Sequence, residues 1–421
     1  MSVRNHFIQT EAVDAKWFLA LKAIRRPLVL RSLALDSLSM VREKEKAFAD
    51  SSYNPTFSYV HLDGMQIRDA YDQLLQLREQ VCQKEMNSSI RTLYTERLTE
   101  LILEQELLLA TAEERWDSFI ECNQLLYGDM SQIFIAEHLA TLQTRYSMFE
   151  SFHLGSFAAA STPSQSDFES MKIALAGPDI VTVPNILYTS DSVAEAWNAE
   201  LGRVMPDWKV VIDSTVAQML VDHRHRTVRI PVGIRTTAKR MRKLFVHEIG
   251  THVYRREQGK QNRLQLASIG LAGYQPAEEG LAMMRAQLVS NRFYHFGGLD
   301  KYLVLALATG HLDGVPKNFS QTFQLLIQYY TARLSRVGKN HLIETVVKNR
   351  AWNSTVRIFR GGNPALPGSC FMRDKLYHEG NRVMWDLGMN TPELLVGIFA
   401  AKFDPTNELQ RAAVQEFTLI Q

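Results

Sequence analysis

The stretch that decides the fold is His247-Glu248-Ile249-Gly250-Thr251-His252. Residues on an α-helix advance about 100° each, so histidines five apart stand about 140° apart on a regular helix. In the common HExxH zinc motif they are four apart and project within about 40° of each other. The HExxxH spacing here closes on one ion only if a single turn is widened by a residue. A π-type bulge does this, and such bulges concentrate at functional sites. Gly250 lies inside the interval, and its freedom in φ/ψ lowers the cost of the distortion. Further along stands Glu278-Glu279-Gly280-Leu281-Ala282. A glutamate pair is usually a solvated face. The apolar run behind this one places at least one carboxylate near the interior, where it needs a partner, and a cation is a good one. Two imidazoles, a carboxylate and a spare glutamate are what a hydrolytic zinc site needs. Glu248 follows His247 directly and so projects beside an ion rather than onto it, which suits a general base.

Working outward, Leu244, Val246 and Val253 make the motif helix amphipathic. Thr236 is its expected N-cap, and Gly259 ends it after the basic Arg255 and Arg256. Trp208 to Ile212 and Thr227 to Val232 read as short strands, with Pro231 favouring an edge position for the second. Upstream, Ile67, Ala70, Tyr71, Leu74, Leu77 and Val81 recur at helical spacing. Tyr94, Leu98, Leu101, Ile102 and Leu108 do the same, with Glu104 and Glu106 expected to face outward. Residues 155–166 are small and polar, the best candidate for a linker or mobile loop. Downstream, Phe323, Leu326, Ile327, Tyr330 and Leu334 mark another helix, and Thr391-Pro392-Glu393 is expected to start one more.

Composition narrows the class without naming a function. The chain has 421 residues, 46% hydrophobic and 22% charged, an ordinary soluble globular balance. Net charge is +2, so the total gives no argument for nucleic acid or membrane binding. Cys82, Cys122 and Cys370 make an odd count without metal-ligand spacing, which fits a reducing compartment. The first residues lack the apolar core of a secretory signal, and no stretch approaches the roughly 20 apolar residues that span a bilayer. The expected location is cytoplasmic.

At this point the residues reach a family. His247 to His252, Asn262 to Tyr274 and Glu278 to Ala282 resemble the QEGLA-motif family. That family includes bacterial flavohemoglobin expression-modulating proteins and the eukaryotic microtubule-associated tyrosine carboxypeptidases. Asn54-Pro55-Thr56-Phe57-Ser58-Tyr59 resembles its NPxFxY element. Phe359-Arg360-Gly361-Gly362 and Phe371 to Gly380 resemble its FRGG and FTKDxxYxxG elements. The resemblance implies that His247, His252 and Glu279 bind zinc, Zn2+, and that Glu248 is the catalytic base. Three positions depart from the pattern: Glu278 replaces glutamine, Met372 replaces threonine and Arg373 replaces lysine.

The remaining roles follow from what peptide hydrolysis needs. A tetrahedral intermediate needs an oxyanion donor. Tyr377 is the first candidate and His378 the second, although a half-buried packing tyrosine fits Tyr377 as well. A carboxypeptidase also needs a fixed cation for the terminal carboxylate, and Arg360 and Arg373 offer the matching fork. Gly361 and Gly362 would let a peptide backbone approach closely. The strand at Arg229 to Val232 could pair with an extended substrate.

The expected fold is α+β and mainly α. A helical N-terminal region (residues 1–155) precedes a linker (156–185) and a zincin-like catalytic region with a small antiparallel sheet (186–421). The expected function is a zinc metallocarboxypeptidase acting on peptides or protein C-terminal tails, with no nucleic-acid or membrane partner and an oligomeric state the sequence leaves open. Two alternatives stand beside it: an aminopeptidase or dipeptidyl-peptidase, and a non-catalytic zinc-containing regulatory protein.

Overall fold

The computed structural model describes residues 12–150, 162–216, 219–223, 225–290, 293–335 and 343–417. Helices dominate from the start: α1 (Ala15–Ala23), α2 (Val29–Ser32) and α3 (Ser37–Ala49) precede the long antiparallel pair α4 (Gly64–Lys84) and α5 (Ser88–Ala112). Their starts are set locally. Asp63 accepts from the Met65 and Gln66 amides, and Asn87 accepts from Ile90 at 3.1 Å, so side-chain oxygens satisfy amides that the helices leave open. The apolar stripe Ile67, Ala70, Leu74, Leu77, Val81 is buried as its spacing requires. On α5 the stripe reading fails at Glu104, which is 8% exposed and faces Arg26 at 3.8 Å. That helix is enclosed on most sides toward its C-terminal end, with Leu107 to Thr111 all buried, while Glu106 is half-exposed and pairs with Arg115 at 2.9 Å. Two further helices, α6 (Trp116–Tyr127) and α7 (Gln132–Gln143), complete this half.

The expected linker is only partly a linker. Residues 151–161 lie outside the described residues, but α8 (Gln165–Ala174) follows at once. Ser164 and Asp167 close a capping box at its start, and Phe168 stacks on Trp385 at 6.1 Å. Polar residues that read as loop are here an N-cap.

Among the described residues five short strands follow, with α9 (Ser190–Val204) between the first two: β1 (Leu187–Thr189), β2 (Lys209–Asp213), β3 (Leu220–Asp222), β4 (Thr227–Pro231) and β5 (Arg235–Thr237). An antiparallel pair joins β1 to β5, and a mixed sheet has the order β2-β4-β3, parallel on one side and antiparallel on the other. The β1–β5 pair is the small antiparallel sheet expected; the three-stranded sheet is mixed, and β4 is its centre rather than its edge. Pro231 pairs with β2 on one side, and on the other the pairing with β3 runs only as far as Arg229 among the described residues. Trp197, Val228, Ile230 and Phe245 close the core between α9, the sheet and the motif helix.

The motif helix comprises α10 (Ala238–His247), a π turn (Glu248–Val253) and α11 (Tyr254–Gly259). Its N-cap is Thr237, whose hydroxyl accepts from Arg240, one residue later than expected. Then come α12 (Leu266–Ile269), α13 (Gln275–Leu288), α14 (Leu299–Ala308), α15 (Phe319–Ser335), α16 (Ile343–Phe359), α17 (Lys375–Asn390) and α18 (Glu408–Phe417). Thr391-Pro392-Glu393 starts only the 3-10 turn Pro392–Leu395. Leu74 and Leu98 share one core with Leu281, Met384 and Trp385, so the N-terminal helices pack directly on those that carry the site. Among the described residues no helix is long and apolar enough to cross a membrane.

Candidate metal centre

The widened turn does what the spacing demands. Tyr254 donates its amide to the Ile249 carbonyl, five residues back, and the Thr251 hydroxyl donates to the Val246 carbonyl at 2.8 Å. His247 and His252 then share a face, their ring centroids 5.0 Å apart. Glu279 arrives from α13 with Oε2 at 3.9 Å from His247 Nε2 and 3.8 Å from His252 Nε2. One ligand atom from each of the three lies within 4.8 Å of the others. A tetrahedral site with bonds of about 2.1 Å has edges of about 3.4 Å, so the trio closes on an ion with movements of a fraction of an ångström. Two imidazoles and a carboxylate are also the donor set that suits a divalent zinc. Among the described residues this is the group of histidine, cysteine and acidic side chains that could hold a metal. Glu248 is half-buried beside it and has no hydrogen-bond partner among the described residues.

Glu278 sits behind His252. Its Oε1 accepts from His252 Nδ1 at 2.7 Å and from Lys402 Nζ at 2.7 Å, and Arg255 donates to its Oε2. A carboxylate on the far ring nitrogen fixes tautomer and orientation, the usual support for a metal-binding imidazole. Burial opposes the charge on Glu278, but Lys402, Arg255 and His252 outweigh it and hold its carboxyl well below the usual range. Burial likewise lowers His252, but the Glu278 hydrogen bond together with the charges of Glu278, Glu279 and Glu248 outweighs it and raises the ring's pKa. His247 has no such support: burial and the neighbouring His252 both lower it. For Glu279, burial is overcome by His252, Arg373 and His247, which keep it ionised.

A basic cluster flanks the other side. Arg373 donates to Glu279 Oε1 at 3.2 Å and to the Tyr377 hydroxyl at 3.4 Å. Lys301 lies 3.5 Å from the centroid of the Tyr377 ring. Arg357 is bound in a fork by Asp374. Arg360 covers Phe371 at 5.5 Å, and its buried Nε has no hydrogen-bond partner. Burial lowers the pKa of Arg360, Asp374 opposes this, and Arg357 and Arg373 add to the fall. Burial also brings Lys301 down to about 8. Of these cations Arg357 and Arg373 have carboxylate partners; Arg360 and Lys301 have none among the described residues.

The other expected site residues are elsewhere. Gly361 and Gly362 are approached closely by the chain's own Leu33, Phe119 and Ser369, which leaves no gap there for a peptide. The Gly361 amide donates to the Tyr59 hydroxyl at 2.7 Å, and its carbonyl accepts from Thr111 at 2.8 Å. The NPxFxY and FRGG elements thus meet each other rather than a substrate. His378 is buried, bonded to the Gly297 carbonyl at 2.8 Å and enclosed by Phe134 and Tyr302, with burial lowering its pKa to about 4. That environment makes it a packing residue rather than an oxyanion donor. Arg229 is held by Asp213 at 3.4 Å and Asp222 at 3.1 Å. Lys301, Arg255, Lys402 and the orienting role of Glu278 escaped the sequence reading. Lys301 and Lys402 come from remote positions, Arg255 read only as a basic residue at the helix end, and Glu278 only as a departure from the motif.

Residues 46–295 match the family described as microtubule-associated tyrosine carboxypeptidase. The match covers His247, Glu248, His252, Glu278 and Glu279 and ends before Lys301 and Tyr377. No curated protein and no solved structure matches the chain.

Proposed function

The chain belongs to the microtubule-associated tyrosine carboxypeptidase family, and from that premise we propose that it is a zinc-dependent carboxypeptidase removing the C-terminal residue of peptides or protein tails. The observation that carries this reading is the convergence of His247, His252 and Glu279 beside Glu248, which has no hydrogen-bond partner among the described residues. A structural zinc site needs no spare base and usually closes with a fourth protein ligand. A dication held by the three residues supplies an acidified water and a polarised carbonyl.

The remaining work belongs to side chains. Glu248 takes the proton from the attacking water and passes it to the departing amine. Tyr377, fixed by Arg373 and faced by Lys301, donates its hydroxyl to the developing oxyanion. Arg373 also holds Glu279 in place, so its charge is engaged. Arg360 has an unsatisfied Nε and no carboxylate partner among the described residues, which suits it to grip the substrate's terminal carboxylate, with Lys301 adding charge in the same basic cluster. Glu248→Gln keeps the shape of the side chain and removes the base. It should lower turnover by roughly 10²–10⁴-fold while metal content, measured by elemental analysis, stays at the wild-type level. Turnover near the wild-type rate in that variant would remove Glu248 from the mechanism.

A further inference from the structure

We propose that Arg285 keeps the motif helix in its π register and is thereby the positioning residue for His252. The inference rests on reading His247, His252 and Glu279 as a metal site. A helix that returns from the five-residue pattern to the four-residue pattern passes over one backbone carbonyl. The Tyr254 amide takes the Ile249 carbonyl, so the one passed over is the next, that of Gly250. A buried carbonyl without a donor is costly.

Arg285 supplies the donor. Its Nη1 donates to the Gly250 carbonyl and, at 3.2 Å, to the Thr251 hydroxyl. Nε donates to the Leu175 carbonyl at 3.3 Å and Nη2 to the Pro178 carbonyl at 3.4 Å. The guanidinium is 4% exposed and forms no ion pair with a carboxylate among the described residues. A buried cation held by neutral oxygens and the face of Phe399, 5.1 Å away, is an expensive arrangement. What it secures is the turn that aims His252.

Two features tie the latch to the site. A side chain at position 250 would strike the Pro178 carbonyl and crowd Nη1 at 3.1 Å, so glycine is what lets the guanidinium reach the carbonyl. Arg285 also rides on α13, the helix that presents Glu279, so the third ligand and the latch move together. If the turn closed to the α pattern, residue 252 would rotate by about 100° and leave the face of His247.

The test compares the wild type with Arg285→Met, Arg285→Lys and Thr251→Val. Cobalt(II) affinity is measured by chelator competition, the visible spectrum of bound cobalt reports geometry, and circular dichroism reports folding. Arg285→Met should remain helical, bind cobalt roughly 10–100-fold more weakly and show an altered spectrum. Arg285→Lys should recover part of the loss, and Thr251→Val should show a smaller one. A folded Arg285→Met with wild-type affinity and spectrum overturns the proposal. If Arg285→Met does not fold, hydrogen exchange at residues 249–254 decides between wild type and Arg285→Lys. Faster exchange in the variant supports the latch, and equal exchange refutes it. A wild type that binds no cobalt defeats the metal reading itself, and the same exchange comparison on metal-free protein still judges the latch.

Discussion

Glu278 carries a charge where the family motif has glutamine, and its neighbours explain how the fold accommodates it. Arg255 is fully buried and Lys402 nearly so, and both donate to this one carboxylate. Glu278→Gln would leave two buried cations facing a neutral amide. Breaking a buried ion pair from one side costs about 3–5 kcal/mol, so urea unfolding of the metal-free variant should show a loss of that order. An unchanged midpoint would mean that the two cations do not depend on Glu278. Lys301 gives a prediction in pH. Burial lowers its pKa from 10.5 to about 8. Between those values the unfolded chain holds a proton that the folded chain has released, so this residue makes stability rise with pH across that window. Substrate binding runs the other way. The KM for peptides with a free carboxylate should climb as pH passes about 8, and Lys301→Met should flatten that limb. A KM independent of pH in the wild type would take Lys301 out of the substrate pocket. At this scale the sequence was informative where function forces residues together in the chain, as at His247, Glu248 and His252. It was silent on Lys402 and Lys301, whose partners are remote in sequence.

Among the elements, the motif helix was the most legible. Five-residue spacing plus Gly250 demanded a widened turn, and the turn spans Glu248–Val253. The Gly280 and Gly380 positions were legible only as motif letters. Their reason is packing: a methyl group at Gly280 would overlap the Gly380 carbonyl, and one at Gly380 would overlap the Pro276 carbonyl. Two motif glycines are thus one crossing of α13 over α17, and the crossing sets the depth at which Glu279 enters the site. Gly280→Ala should cost about 1–3 kcal/mol through overpacking, read by thermal or urea unfolding. Wild-type stability in that variant would show that the helices can part without penalty. The strand β4 was placed at an edge because proline lacks a ladder donor, a rule that holds residue by residue. Pro231 lies beyond the register shared with β3 among the described residues, while the strand as a whole is central. Ser164 and its neighbours read as linker because capping residues and loop residues are chemically alike.

For the whole molecule, the class α+β, mainly α, followed from periodicity, but the division into regions did not show how they pack. Trp17, Leu74 and Leu98 from the N-terminal helices share a core with Leu281 and Trp385, the interior that backs the candidate metal centre. Long-range packing of that kind leaves no periodic trace, since each helix shows only that it has an apolar face. The family match runs from residue 46 to residue 295 and so joins the N-terminal helices to the motif helix, as the shared core does. The central claim is that this scaffold presents a metal-dependent carboxypeptidase site. The most direct test is mass spectrometry of a peptide library, free or amidated at the C-terminus, incubated with zinc-loaded protein and with chelator-treated protein. The expected result is loss of a single C-terminal residue from the free peptides only, and only with metal present. Trimming from the N-terminus, equal cleavage of the amidated peptides, or undiminished activity after chelation would contradict it.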